Sequence, residues 1–334
     1  MIGGSGILIN WAILGTGVVA NEMARALKKA GKRIYSIGNR THSKAVAFAE
    51  KYGIEKVYDD FHAMFYDENV DVIYITTPHN THISFLREAL SAGKHVLCEK
   101  SITLNSVELR EAVKIAAEKK VVLAEAMTIY HMPLYKRLLD MYENGDFGRV
   151  NLIQLNFGSF KEYNMKNRFF NKSLAGGAIL DIGVYALSLA RLFLTSKPVD
   201  VLSRVEYAPT GVDEKVGIVM TNEQKELTVI SLSLHSKQPK RAVISCERCY
   251  IEIMEYPRSC EAVIVDAVSG KRDIISCGDK QCALQYEMED MERAINGDKK
   301  IMHLDDTIDV MALMSKMRDE WQMYYPEESD GKIL

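Results

Sequence analysis

Short apolar runs alternate with amphipathic stretches along the first third of the chain. Residues 11–14, 34–37, 72–76, 96–98 and 121–124 are too short for helices and carry apolar side chains on both faces, the pattern of strands buried in a parallel sheet. Between the first two, Val19, Met23, Ala26 and Leu27 fall at i, i+4, i+7 and i+8, one face of a helix. Asn105 with Glu108 three residues on predicts a capping box for a helix ending near Lys120. Strand and helix in alternation predict a parallel sheet covered on both sides.

Beyond Val150 the period changes. Ile153, Leu155 and Phe157 point one way and Gln154 and Asn156 the other, a half-buried strand of period two. An apolar helix is expected over 178–194 after Gly176 and Gly177. Strand-like runs follow near 200–207, 216–221, 227–234, 241–246, 250–254 and 262–267, then helices over 281–296 and 305–323. No internal repeat interrupts this order. The fold class is therefore α/β. An N-terminal dinucleotide-binding domain on a parallel sheet is expected over 7–125, and a C-terminal α+β domain on a large, mostly antiparallel open sheet over 126–330. The last helix is expected to pack back on the first domain.

Composition narrows the function. A chain of 334 residues is long enough for two cores. Its 42 basic and 45 acidic residues are interspersed and leave a net charge of −3, which argues against a nucleic-acid partner. No apolar run reaches the roughly 18 residues of a membrane span, so no membrane partner is expected. Residues 1–6 lack the basic start and apolar core of a secretory signal, and a cytoplasmic location is expected. Six cysteines stand at 98, 246, 249, 260, 277 and 282. Cys246 and Cys249 form a single CxxC pair with no second pair to complete a zinc site, so structural thiols and no metal are expected.

Gly15-Thr16-Gly17-Val18-Val19-Ala20 reads G-x-G-x-x-A between a strand and an amphipathic helix. The first glycine permits a tight turn, the second lets backbone approach a pyrophosphate, and the small Ala20 lets helix and strand pack closely. The helix N-terminus supplies free N–H groups. An NAD-preferring site places an acid at the end of the second strand to accept from the ribose hydroxyl. Here Asn39, Arg40 and Thr41 follow that strand instead. The planar, permanently charged guanidinium of Arg40 suits a 2′-phosphate, so NADP(H) is the preferred cofactor, with NAD(H) second.

Lys100 follows a strand at the carboxyl edge of the sheet, where ligands of open α/β sheets bind, and can polarise a carbonyl or stabilise an alkoxide. Asp181 and Tyr185 are four apart on a predicted helix and share a face. A tyrosine beside a cationic lysine and an oxidised nicotinamide has its phenolate favoured, which suits general-base duty. His79 and His82 have no acidic or cysteine neighbour in sequence, which argues against a metal.

Three segments carry a family resemblance: Thr76-Thr77-Pro78-His79-Asn80-Thr81-His82, residues 92–100 ending in Cys98-Glu99-Lys100, and residues 176–185 ending in Asp181-x-Gly183-x-Tyr185. With the glycine motif, their order and spacing resemble the Gfo/Idh/MocA oxidoreductases over nearly the whole chain. Tyrosine rather than histidine after Asp181 resembles the NADP-dependent branch that contains dihydrodiol dehydrogenase, sugar dehydrogenases and glucose–fructose oxidoreductase. The resemblance implies hydride transfer between NADP(H) and a hydroxyl or carbonyl of a sugar, sugar derivative or diol. Lys100 and Tyr185 would then be the catalytic pair, with Asp181 beside them. It implies cofactor contacts from Gly15 to Val19, from Asn39 to Thr41, from Thr76 to Asn80, and from His82, Glu99 and Lys100. Arg168 would face the substrate with Tyr185. It further implies a homodimer or dimer of dimers through the uncovered face of the second sheet. The family reads Glu-Lys-Pro where this chain has Ser101. The family proline commonly follows a cis peptide, which is costlier before serine, so the aim of Lys100 is the point to check. A catalytically silent dinucleotide-binding sensor is the competing expectation.

Overall fold

The computed structural model describes residues 8–165 and 167–328. Residues 1–6 and the expected outer domain limits at 7 and 330 lie outside these residues.

The first sheet is built from β1 (Trp11–Leu14), β2 (Ile34–Gly38), β3 (Lys56–Tyr58), β4 (Val72–Ile75), β5 (His95–Glu99) and β6 (Leu123–Ala126). All its pairings are parallel, in the order β3-β2-β1-β4-β5-β6. This is the arrangement that the alternating apolar runs predict. The order reverses at β1, so a crevice opens beyond the carboxyl ends of β1 and β4. Helices α1 (Val18–Lys29), α2 (His42–Tyr52), α3 (Phe61–Phe65), α4 (His82–Ser91) and α5 (Ser106–Lys119) connect the strands. The Asn105 cap forms as expected, its Oδ1 accepting from the Glu108 N–H at 3.0 Å. Glu108 answers one residue early, accepting from the Leu104 N–H at 2.9 Å rather than closing the box on Asn105.

Helices α6 (Thr128–His131) and α7 (Pro133–Glu143) lead to the second sheet. Its strands are β7 (Val150–Gly158), β8 (Asp200–Tyr207), β9 (Asp213–Thr221), β10 (Leu227–Ser233), β11 (Gln238–Cys246), β12 (Cys249–Met254), β13 (Glu261–Asp266) and β14 (Arg272–Ser276). Their order is β14-β13-β12-β11-β7-β10-β9-β8, antiparallel except for the β7–β10 pair. Its inner face buries Ile153, Leu155, Ile230, Ala242 and Ile244 against a helix that begins with a π-helical turn at Ile179–Gly183 and continues as α8 (Val184–Phe193). The turn is held by Asp213, whose Oδ2 accepts from the Ile179 N–H at 2.5 Å. Gly177 makes that approach possible: its φ is +130°, and a Cβ there would sit 2.0 Å from Asp213 Oδ1.

The stretch Lys172–Phe193 is apolar and long enough to cross a membrane by composition, contrary to the expectation that no run reaches that length. However, 83% of its most apolar window is buried inside the protein. It is the core helix of this fold. The chain ends with α9 (Ala283–Ile295), which packs on α1, and α10 (Leu304–Glu320), which packs on α5, β6 and α8. Buried Arg318 ties α10 down by pairing with Glu328 and donating to the Leu104 carbonyl at 2.7 Å.

Candidate active site

The glycine turn sits where β1 meets α1. Gly15 donates its N–H to the Gly38 carbonyl at 2.8 Å. Its φ is +113°, and a Cβ there would lie 2.4 Å from Thr76 Oγ1, so only glycine lets β1 and β4 end this close together. Nothing lies within 4 Å of a Cβ placed on Gly17, Val18 is 76% exposed, and no side chain caps the start of α1. Asn21 donates to the carbonyls of Thr16 and Gly17 and firms the turn. Open backbone N–H groups at a helix start fit a pyrophosphate. Arg40 and Thr41 are exposed two and three residues beyond Gly38, and Asn39 Nδ2 donates to the Thr41 carbonyl at 3.0 Å. The donor set therefore fits a nicotinamide dinucleotide.

Two histidines brace the adjoining edge. His79 Nε2 bonds the Lys100 carbonyl at 2.9 Å, and His82 bonds the Thr77 and Ser101 carbonyls at 2.8 and 3.1 Å. Burial lowers both, His79 to about 3 with help from the neighbouring His82, and a neutral His82 has one N–H, enough to donate to only one of its two carbonyl neighbours at a time. They hold the 77–79 loop against the 100–101 turn. His82 is fully buried, so it acts on the site through backbone carbonyls. Asn80 faces away, donating to Glu327 Oε1 at 2.7 Å. Thr77 and Thr81 share a hydroxyl bond at 2.8 Å, and Pro78 precedes the single turn at His79–Thr81. The Lys100–Ser101 peptide is cis, as the family pattern implies despite the serine, and Ser101 Oγ donates to the Leu180 carbonyl at 3.0 Å.

Lys100 projects from the end of β5 toward the π turn. Its ammonium donates to the Asp181 carbonyl at 2.6 Å and to Asp181 Oδ1 at 3.3 Å, and stands 4.8 Å from the centre of the Tyr185 ring. Arg168 Nη2 reaches the same carboxylate oxygen at 3.1 Å. Burial works against the charge on Lys100, yet Asp181 and Tyr185 outweigh it and raise its pKa. Burial likewise works against an ionised Asp181, but Lys100 and then Arg168 hold it below the usual carboxylate range. The result is a buried carboxylate shared by two cations. Glu99 accepts from the Tyr74 hydroxyl, with burial raising its pKa.

The expectation for Tyr185 concerns the state with oxidised nicotinamide bound, and the chain alone shows the starting point. Burial raises its pKa above the ordinary phenol value and outweighs the opposing field of Lys100. The chain's own residues therefore keep it a phenol near pH 7. The ring is half-buried and packs against Phe157, 6.1 Å centre to centre.

Tyr185 opens into a cleft of about 810 Å³ that it shares with Phe157 of β7, Lys240 of β11, Arg258 and the outer flank of α1. None of Phe157, Lys240 and Arg258 was legible as a site residue. They come from separate strands and a loop, and only the fold brings them to Tyr185. Among the described residues no cluster of three histidine, cysteine or acidic side chains is placed to hold a metal. Cys246 and Cys249 are free thiols, both raised by burial, Cys246 to about 12.

The model of an oxidoreductase family with an NAD-binding Rossmann fold, GFO_IDH_MocA, matches residues 9–127. The GFO/IDH/MocA C-terminal domain matches residues 135–252. Trans-1,2-dihydrobenzene-1,2-diol dehydrogenase of Xenopus laevis is 28% identical over 328 residues, covering 95% of this chain and 99% of that protein. Among solved structures, the 3-ketoreductase KijD10 of Actinomadura kijaniata, in complex with NADP and TDP-benzene, superposes with a TM-score of 0.79 at 21% identity. It covers 92% of this chain and 95% of its own. UDP-N-acetylglucosamine 3-dehydrogenase GnnA of Acidithiobacillus ferrooxidans has a TM-score of 0.79 at 20% identity, covering 93% and 96%. At these identities the two structures share the fold with this chain.

Proposed function

The chain belongs to the Gfo/Idh/MocA oxidoreductases, and from that premise we propose that it moves hydride between NADP(H) and a hydroxyl-bearing or carbonyl carbon of a sugar, sugar derivative or diol. The observation that carries this reading is the meeting of Lys100 with Asp181 and with the ring of Tyr185, the residue of the three that lines a ligand-sized cleft. Nicotinamide, when bound, supplies the hydride acceptor or donor.

Tyr185 is placed to exchange the proton of the substrate oxygen, because its phenol opens into the cleft. Lys100 has three N–H donors and directs two at Asp181, which leaves one for the substrate oxygen. Its positive charge also reduces the cost of a Tyr185 phenolate. Asp181 fixes the lysine, and Arg168 keeps that carboxylate ionised. Such a charge assembly at a cleft suits catalysis better than silent binding.

Two features favour NADP(H) over NAD(H). Arg40 stands at the end of β2 where an acid would otherwise sit, and relatives of the same fold are described in complex with NADP. The six free thiols suit a reducing cytoplasm. A second copy of the chain would cover the outer face of the eight-stranded sheet. There, Leu202, Val219, Val229, Gln154, Val243, Glu252, Val263 and Ile274 are register partners across all the strands. Six of them are apolar, with Leu202 and Ile274 67% and 65% exposed, a patch that monomers seldom leave open.

The test is a screen of aldoses, deoxysugars, cyclitols and diols with both cofactors, followed by the near-ultraviolet absorbance of reduced nicotinamide. Turnover of one class is expected. Tight NADPH binding with no turnover of any class, sugar phosphates and nucleotide sugars included, would mark a silent binding protein instead.

A further inference from the structure

Resting on the oxidoreductase reading, we propose that the substrate carries a phosphate group, read by a cationic wall of the cleft at Tyr185. Five cationic side chains line this cleft: Arg25, Lys29, Lys240, Arg258 and Lys280. Only two carboxylates, Glu22 and Glu255, accompany them, in a chain whose net charge is −3. The cations come from α1, from β11, from the turn after β12 and from the turn before α9. The fold thus gathers them from four places, and a concave wall of one sign concentrates its field on an anion.

The two acids are already engaged. Glu22 holds Arg258 at 3.0 Å, and Glu255 holds Lys240 at 2.9 Å. Arg25, Lys29 and Lys280 therefore make up the positive excess. A neutral diol gives that excess no counter-charge, whereas a phosphate accepts charge-assisted hydrogen bonds from both arginine and lysine.

The layout also has a direction. Arg258 lines the cleft with Tyr185 and pairs with Glu22 at 3.0 Å, so the Glu22–Arg258 pair marks the reacting end. Lys29 Nζ lies 3.5 Å from Cys282 Sγ, beside Lys280. Glu22 and Lys29 are separated along α1 by roughly 10 Å, at 1.5 Å per residue. That distance suits a sugar with its reacting carbon at Tyr185 and its phosphate near Lys29 and Lys280. The dinucleotide's own phosphates do not account for this wall, because Gly15, Gly17 and Val18 are absent from its lining.

The experiment uses enzyme saturated with NADPH, so that the glycine turn is already filled. Inorganic phosphate and pyrophosphate are titrated calorimetrically, and turnover is compared among a hexose, its monophosphate and the matching nucleoside-diphosphate hexose. The anions are expected to bind, and the triple variant Arg25→Gln/Lys29→Gln/Lys280→Gln to weaken them at least tenfold with NADPH affinity unchanged. All three side chains are exposed, so the variant keeps its core. The KM of the phosphorylated substrate should rise by a similar factor with kcat nearly constant. A preference for the monophosphate assigns a sugar phosphate, and a preference for the diphosphate a nucleotide sugar; either supports the proposal. Equal turnover of the neutral hexose, or anion binding that survives the triple variant, overturns it while leaving the oxidoreductase reading intact. Failure of NADPH itself to bind is a distinct result that removes both.

Discussion

Replacing Tyr185 by phenylalanine removes one oxygen from the site and little else. The ring keeps its contact with Phe157 at 6.1 Å and its place under the Lys100 ammonium at 4.8 Å. Lys100 keeps both bonds to Asp181. Folding and NADPH affinity should therefore stay within about 1 kcal/mol of the parent, the usual worth of one hydrogen bond. Turnover loses the positioned proton donor and should fall by roughly 10²–10⁴, or about 2.7–5.4 kcal/mol at 1.36 per tenfold. The pH profile gives an independent readout. With its pKa raised above the ordinary phenol value, Tyr185 is protonated near pH 7. Reduction should be flat through neutrality and decline only in the alkaline range, while oxidation climbs there. In Tyr185→Phe that limb should vanish. Lys100→Met should fall comparably, and the double variant should lose much less than the product of the two, since the pair acts as a unit. Steady-state kinetics in both directions, with fluorescence titration of NADPH, make the measurement. Full activity in Tyr185→Phe, or an unchanged alkaline limb, would refute the assignment.

Arg40→Ala should weaken NADPH by roughly 1.5–3 kcal/mol, the worth of a charge-assisted contact, with NADH nearly unaffected; parent enzyme that binds NADH as tightly as NADPH sinks the cofactor preference. Light scattering should give a dimer or larger at micromolar concentration, and Leu202→Glu/Val229→Glu should release monomers; a monomeric parent contradicts the sheet-face reading. Burial pushes the Glu125 carboxyl up from 4.5 to about 7, so the unfolded chain releases its proton first and stability falls as pH rises from about 4.5 to 7. Glu125→Gln retains an acceptor for the Ile102 N–H, at 3.0 Å in the parent. It should flatten that fall and stabilise at pH 8 by up to about 3 kcal/mol; urea melts with an unchanged pH slope would contradict this.

Much of the fold was legible because its signals are local. Burial on both faces made the strands of the first sheet continuous apolar runs, and burial on one face made β7 alternate. The elements that escaped notice carry weak local signals. β3 spans three residues, Lys56–Tyr58, and β14 is an almost wholly exposed edge strand whose Ile274 is 65% exposed, so neither has a core-facing periodicity. The π turn at Ile179–Gly183 was read as the start of a plain helix because Asp213, which holds it, lies 34 residues further on.

The same division runs through the site. The glycine turn could be picked out by its spacing, Arg40 by the missing acid after the second strand, and Lys100, Asp181 and Tyr185 by the family resemblance that their segments carry. Their protonation could not, because pKa depends on depth and on charges brought together in space. For Tyr185, burial raises the pKa while Lys100 lowers it, a balance that depends on the fold. His79 and His82 were read as cofactor contacts through the resemblance, and their bonds to the Lys100, Thr77 and Ser101 carbonyls could not be read from the chain. The cationic wall lay beyond sequence pattern altogether. Arg25, Lys240, Arg258 and Lys280 share no motif or period, and only the packing of the second sheet and α9 against α1 brings them to one cleft. Local periodicity and motif spacing thus determined the layers and the chemistry available. Tertiary packing decided the protonation states and the company each group keeps, because burial and Coulomb fields depend on distances that do not exist along the chain.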